Sequence, residues 1–107
     1  MTRAWVWLII AGLFEVGWPL GLKVSQAPGR FALGMVAAVS SMVLSGVFLW
    51  LAQKQIPMGT AYLVWTGIGG VGTFALGLVL FREPMTVVRV TGALLILCGV
   101  VLLKLGH

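Results

Sequence analysis

The chain has 107 residues, of which 61% are hydrophobic and 8% charged, with a formal net charge of +5. A soluble domain carries roughly 25% charged residues, so this chain is too apolar for a water-facing surface and reads as a single integral membrane domain. Its seven Lys and Arg are scattered singly near segment ends, which fits anchoring at lipid headgroups and not the basic patch of a nucleic-acid binder.

Four apolar segments follow one another, at about 5–22, 31–51, 59–81 and 87–105. Each approaches the ~20 residues that a helix needs to cross the hydrocarbon core. Backbone polar groups cannot be left open in lipid, so runs of this length are helices. Strict alternation is missing, which excludes barrel strands. The expected architecture is all-α, with four transmembrane helices and no soluble domain.

The first segment carries the most informative residue. Glu15 lies in the middle of it, and the nearest formal charges are Arg3 and Lys23. A carboxylate inside a membrane span costs roughly 3 kcal/mol on insertion scales, and such residues face a partner helix or a watery cavity. Glu15 also interrupts the apolar run that a cleaved signal peptide would need. Residues three and four apart share a helix face, so Gly12, Trp18 and Pro19 stand beside Glu15. Gly12 removes bulk, and Trp18 offers an indole N–H and a ring face suited to a cation. The plainer roles are close helix packing for Gly12 and core or interface anchoring for Trp18. Pro19 removes a backbone bond and is expected to kink the helix just after the site.

Ala27-Pro28-Gly29-Arg30 is a turn signal. In the second segment, Ser41 and Ser45 share a face and are polar enough to support a carboxylate. A hydroxyl bonded to its own helix is the alternative. The third segment, entered at Pro57, places Tyr62, Trp65, Thr66 and Gly69 on one stripe, two rings with polar tips suited to a charged guest. Belt aromatics are the alternative for Tyr62. Gly67, Gly69, Gly70 and Gly72 form a G-x-G-x-x-G match, but no strand or βαβ unit surrounds it, so a dinucleotide site is rejected. A bendable helix centre, the hinge of a conformational switch, is the reading preferred here.

Glu83 follows Arg82 in the next loop and reads as a solvated charge, and Thr86 is a candidate cap for the fourth helix. That helix carries Gly92, Ile96, Gly99 and Leu103 on one stripe, a pattern for packing against a copy of itself. Cys98 has no intrachain partner and reads as a small buried hydrophobe. His107 closes the chain, where ends fray. No cofactor is implied, and no Cys/His cluster suggests a metal. No nucleophile–base pair suggests an enzyme.

With four spans, one side holds Arg3, Lys54 and Lys104, and the other holds Lys23, Arg30, Arg82 and Arg89. The positive-inside rule has almost no asymmetry to act on, so the chain is expected to insert both ways round. An antiparallel pair would form an inverted repeat, the usual architecture of alternating-access transporters. Two chains would bring two Glu15 side chains to one cavity. Two carboxylates there cannot both stay ionised without a counter-charge, so a cation and protons would compete for the same oxygens. That competition is proton-coupled antiport.

These residues resemble the small multidrug resistance transporters over nearly the whole chain. The resemblance rests on Glu15 centred in the first span, on PMGTAYLVWTGIG at Pro57–Gly69, and on the REP turn at Arg82–Pro84. The FEVGW run at Phe14–Trp18 is similar to the branch that exports guanidinium. The resemblance implies a dual-topology, antiparallel homodimer in the bacterial inner membrane, exchanging a cation for protons. Glu15 would bind both. Gly12, Trp18, Ser45, Tyr62 and Trp65 would line the site, and the fourth helices would form the dimer contact. The chain departs from that branch at Pro19, where a small apolar residue is frequent, and slightly in the first loop. Guanidinium suits the site because it is planar and meets a carboxylate through two parallel hydrogen bonds. Export of quaternary ammonium or other hydrophobic cations, a non-transporting subunit of a membrane complex, and a passive cation channel are the alternatives.

Overall fold

A computed structural model of the chain describes residues 2–106; His107 lies outside the described residues. Four helices make up the fold: α1 (Thr2–Ser25), α2 (Phe31–Ala52), α3 (Met58–Leu80) and α4 (Val87–Leu105). All four are long and apolar enough to cross a membrane. α1 has 24 residues, about 36 Å of helix against a hydrocarbon core of about 30 Å. It outruns the apolar stretch at 5–22 because its polar ends still favour helix. Lys23 complements the helix dipole in the last turn, and Ser25 Oγ donates to the Leu22 carbonyl at 2.6 Å. α1 also runs unbroken through Pro19.

The connections use the turn chemistry present in the sequence. Gly29 adopts φ +75° after Pro28, and Arg30 N–H donates to the Ala27 carbonyl at 3.1 Å, as a proline–glycine turn requires. Pro57 stands at the start of α3 in an extended conformation. Thr86 caps α4, its hydroxyl oxygen accepting from Arg89 N–H at 3.2 Å. Glu83 is more engaged than a free surface charge. Its N–H donates to the Gly77 carbonyl at 3.1 Å, and its carboxylate folds back over Gly77. Arg89 Nη2 lies 3.5 Å from Glu83 Oε1, and Arg89 Nη1 donates to the Pro84 carbonyl at 2.6 Å. The partner of Glu83 is therefore in the first turn of α4, and not the adjacent Arg82.

α1 is the central helix, packing on α2 along one side and on α3 along the other, while α4 leans on α3 alone. α2 buries the stripe Gly34, Ala38, Ser45 and Ala52. Phe48 on α2 stacks on Phe14 and Trp7 of α1, with ring centroids 5.9 and 5.4 Å apart. At the far end of that seam the two backbones touch. A Cβ on Gly21 would lie 2.6 Å from Ala38 N, and one on Gly34 would overlap Ser25 and Gly21. The apolar core gathers at the opposite end, where Trp5, Leu8, Ala52, Ile56, Ala61 and Val64 meet. α4 buries no residue. Cys98 is exposed on the single chain; the expected burial fails because α3, the one helix that α4 packs on, does not cover it.

Gly34 offers a direct check of the α1–α2 crossing. Its would-be neighbours are backbone atoms, which cannot rotate aside. Gly34→Ala is expected to destabilise the protein by about 1–3 kcal/mol in denaturant titration followed by tryptophan fluorescence. Gly59→Ala, with nothing within 4 Å, should stay within about 0.5 kcal/mol of the parent.

Candidate functional site

Glu15 is half-buried at the middle of α1. Trp18, one turn on, donates its indole Nε1–H to Glu15 Oε1 at 2.8 Å. The contact follows from three-residue spacing on a helix. Across from the carboxylate stands Gly69 of α3. A Cβ there would overlap Glu15 Cγ and lie 2.9 Å from Glu15 Cβ, so this α1–α3 contact requires glycine. The side chain is thereby pressed between its own Trp18 and the backbone of α3.

The carboxylate opens on a recess of about 290 Å³ lined by Glu15, Trp18, Pro19, Thr66, Gly69, Gly70 and Thr73. A second recess of about 160 Å³ shares Pro19 and Thr73 with it and reaches Lys23, Phe81 and Glu83 at the α3–α4 loop. Among the described residues, no Lys or Arg lies within ion-pair distance of Glu15; the one ion pair is Arg89 with Glu83. No group of three His, Cys, Asp or Glu is gathered among the described residues to hold a metal ion.

A separate polar chain lies just before the site. Trp65 donates Nε1–H to Ser45 Oγ at 2.8 Å, and Ser45 in turn donates to the Ala11 carbonyl at 2.7 Å. Ser45 is fully buried, and both its donor and its acceptor roles are filled. The hydroxyl expected to support the carboxylate therefore serves the backbone one turn earlier. Ala11 O is also the helical acceptor of Glu15 N–H, so this chain fixes α1 at the residue that carries the charge. Such bonds contribute about 0.6–1.7 kcal/mol each in a membrane. Ser41 packs against Gly17 and makes no bond to Glu15.

The remaining candidates divide by position. Tyr62 is 53% exposed on the single chain, with its ring tilted against Trp65 at 5.5 Å; it does not line the Glu15 recess. Gly12 is buried, and a Cβ there would lie 2.6 Å from Ile68 Cγ2, so it admits α3. α3 is continuous through its glycines. Gly67 lies against Val100, Gly69 against Glu15, and Gly72 against Val16, whereas Gly70 meets nothing within 4 Å. On α4, Gly92 and Gly99 also meet nothing within 4 Å, while Ile96 inclines towards Gly67. The sequence reading missed Thr73 as a lining residue. The signal was present, because Thr66, Gly69, Gly70 and Thr73 are spaced at three, four and seven, one face of a helix.

Comparison with known proteins gives this arrangement a family. The profile of the Small Multidrug Resistance protein family matches residues 3–96. A guanidinium exporter of Yersinia pseudotuberculosis is 47% identical over 103 residues, covering 96% of this chain and 98% of the relative. A guanidinium exporter of Escherichia coli is 42% identical over the same length, covering 96% and 97%. One from Proteus vulgaris is 38% identical, covering 96% and 98%. Family membership and four apolar helices make the chain a multi-pass inner-membrane transport protein and not an enzyme. With a lone carboxylate mid-membrane, an indole bonded to it, and nearly full-length similarity to these proteins, the chain belongs to the small multidrug resistance family, in the branch of its guanidinium-exporter relatives.

Proposed function

We propose that this chain exports guanidinium in exchange for protons, as an antiparallel, dual-topology homodimer that alternates access to a shared site. The observation that carries the reading is Glu15: a carboxylate at mid-membrane, without a cationic side chain beside it, opening on a recess in a chain 47% identical to a guanidinium exporter. Its oxygens are the common seat of proton and cation. Trp18 holds one of them in place at 2.8 Å, so the carboxylate is oriented before a cation arrives. Ser45 and Trp65 act by fixing α1, and Gly12 by admitting α3. Tyr62, exposed on one chain, would complete the wall in the pair.

The pairing is supported by what one chain leaves uncovered. α4 buries nothing, and Gly92 and Gly99 present an open face on it. We place the dimer contact there, with Ile96 between that face and α3. The Glu15 recess would then be closed by the partner, bringing two carboxylates to one guest. Bending of α3 at Gly67–Gly72 is the switch we assign to the change of access, since Gly70 carries no packing of its own.

Reconstituted in liposomes, the protein should move protons when guanidinium is supplied on one side, and guanidinium when a pH gradient is imposed. Glu15→Gln should abolish both, leaving helix content by circular dichroism unchanged. Uncoupled guanidinium flux, or exchange that survives in Glu15→Gln, overturns the mechanism. Gly69→Ala tests the seat of the carboxylate. Displacing Glu15 Cγ by overpacking of about 1–3 kcal/mol should weaken guanidinium binding at least tenfold in a fluorescence titration, with the fold intact.

A further inference from the structure

We propose that Pro19 turns the backbone carbonyl of Glu15 into an additional acceptor of the cation site, selecting guests that carry N–H donors. The inference deepens the exchange reading and rests on it. In an α-helix the N–H of residue 19 would donate to the carbonyl of residue 15. Proline has no N–H, and its ring crowds that same carbonyl. α1 is continuous from Thr2 to Ser25, so the Glu15 carbonyl still points along the helix towards Pro19. Glu15, Trp18 and Pro19 line one recess. The recess therefore adjoins both residues of the missing bond, one of which also carries the carboxylate.

A carbonyl without a donor inside a membrane costs several kcal/mol, and neighbouring hydroxyls or water usually meet the need. Thr66 and Thr73 line the recess, yet Glu15 O receives no side-chain donor among the described residues: Trp18, Ser25, Ser45 and Trp65 donate instead to Glu15 Oε1, Leu22 O, Ala11 O and Ser45 Oγ. What enters the recess is left to serve it. Guanidinium has N–H groups on all three nitrogens. Two in parallel satisfy a carboxylate, and the others remain to meet a carbonyl. A quaternary ammonium has none to offer. One residue thus supplies a charge and a neutral acceptor, and the neutral one discriminates by hydrogen-bond donors and not by charge.

The test compares guanidinium binding, followed by tryptophan fluorescence, in three forms of the full chain. These are the parent, Pro19→Ala, which restores the N–H, and a chain with lactic acid at position 19 introduced by nonsense suppression, which lacks both N–H and ring. A hydrogen bond to a charged group predicts about tenfold weaker binding in Pro19→Ala and parent-like binding in the ester. An isotope label on the Glu15 carbonyl should shift to lower infrared frequency on guanidinium binding in the parent and ester forms, and stay fixed in Pro19→Ala. Parent-like binding by Pro19→Ala, equal weakening in both variants, or an unmoved label in the parent overturns the proposal while leaving guanidinium exchange standing. No guanidinium binding by the parent overturns both.

Discussion

One unpaired carboxylate at the centre of an apolar helix constrains everything around it. Glu15 can be tolerated at mid-membrane only where its oxygens meet donors or water and its stem is shielded from lipid. α1 is accordingly the helix that two others flank, and α3 approaches it at a glycine so close that no Cβ fits. The Trp18 indole supplies a fixed donor. The carboxylate opens on a recess that, among the described residues, has no Lys or Arg in its lining.

The backbone on either side of Glu15 is treated differently. On the N-terminal side, the Ala11 carbonyl receives Ser45 in addition to its helical partner, and Ser45 receives Trp65. Three helices are thereby tied together one turn before the charge. On the C-terminal side, Pro19 takes a bond away. The packing follows the same division. The apolar core collects around Trp5, Leu8, Ile56 and Val64, near the start of α1, whereas the recesses lie along Val16, Pro19 and Lys23 towards the α3–α4 loop. A packed end and an open end on one helix accord with the cation exchange proposed for Glu15.

The chain also leaves much apolar surface uncovered. Phe31, Leu33, Val36 and Val43 on α2 and Leu95, Leu102 and Leu105 on α4 are exposed. Lipid accounts for some of this, since hydrocarbon imposes no penalty on such faces. Gly92 and Gly99 of α4 meet nothing within 4 Å, and small residues are what allow two helix backbones to meet, which is why the dimer contact is proposed there. Cys98 lies on that same helix, and its exposure has the same origin.

The amino-acid sequence by itself determined the number of membrane helices, their turns, and the identity of the central acid. Those follow from hydrophobic run length, from proline and glycine chemistry, and from the cost of a charge in lipid, all of which are local. The Glu15–Trp18 bond was legible for the same reason, since both residues lie on one helix. Only the tertiary structure decided that Ser45 serves Ala11 and not Glu15, that Glu83 pairs with Arg89, and that Gly69 is the seat of the carboxylate. Each depends on the distance between residues far apart in sequence or separated by a turn, and helical periodicity fixes faces without fixing which faces meet or at what height.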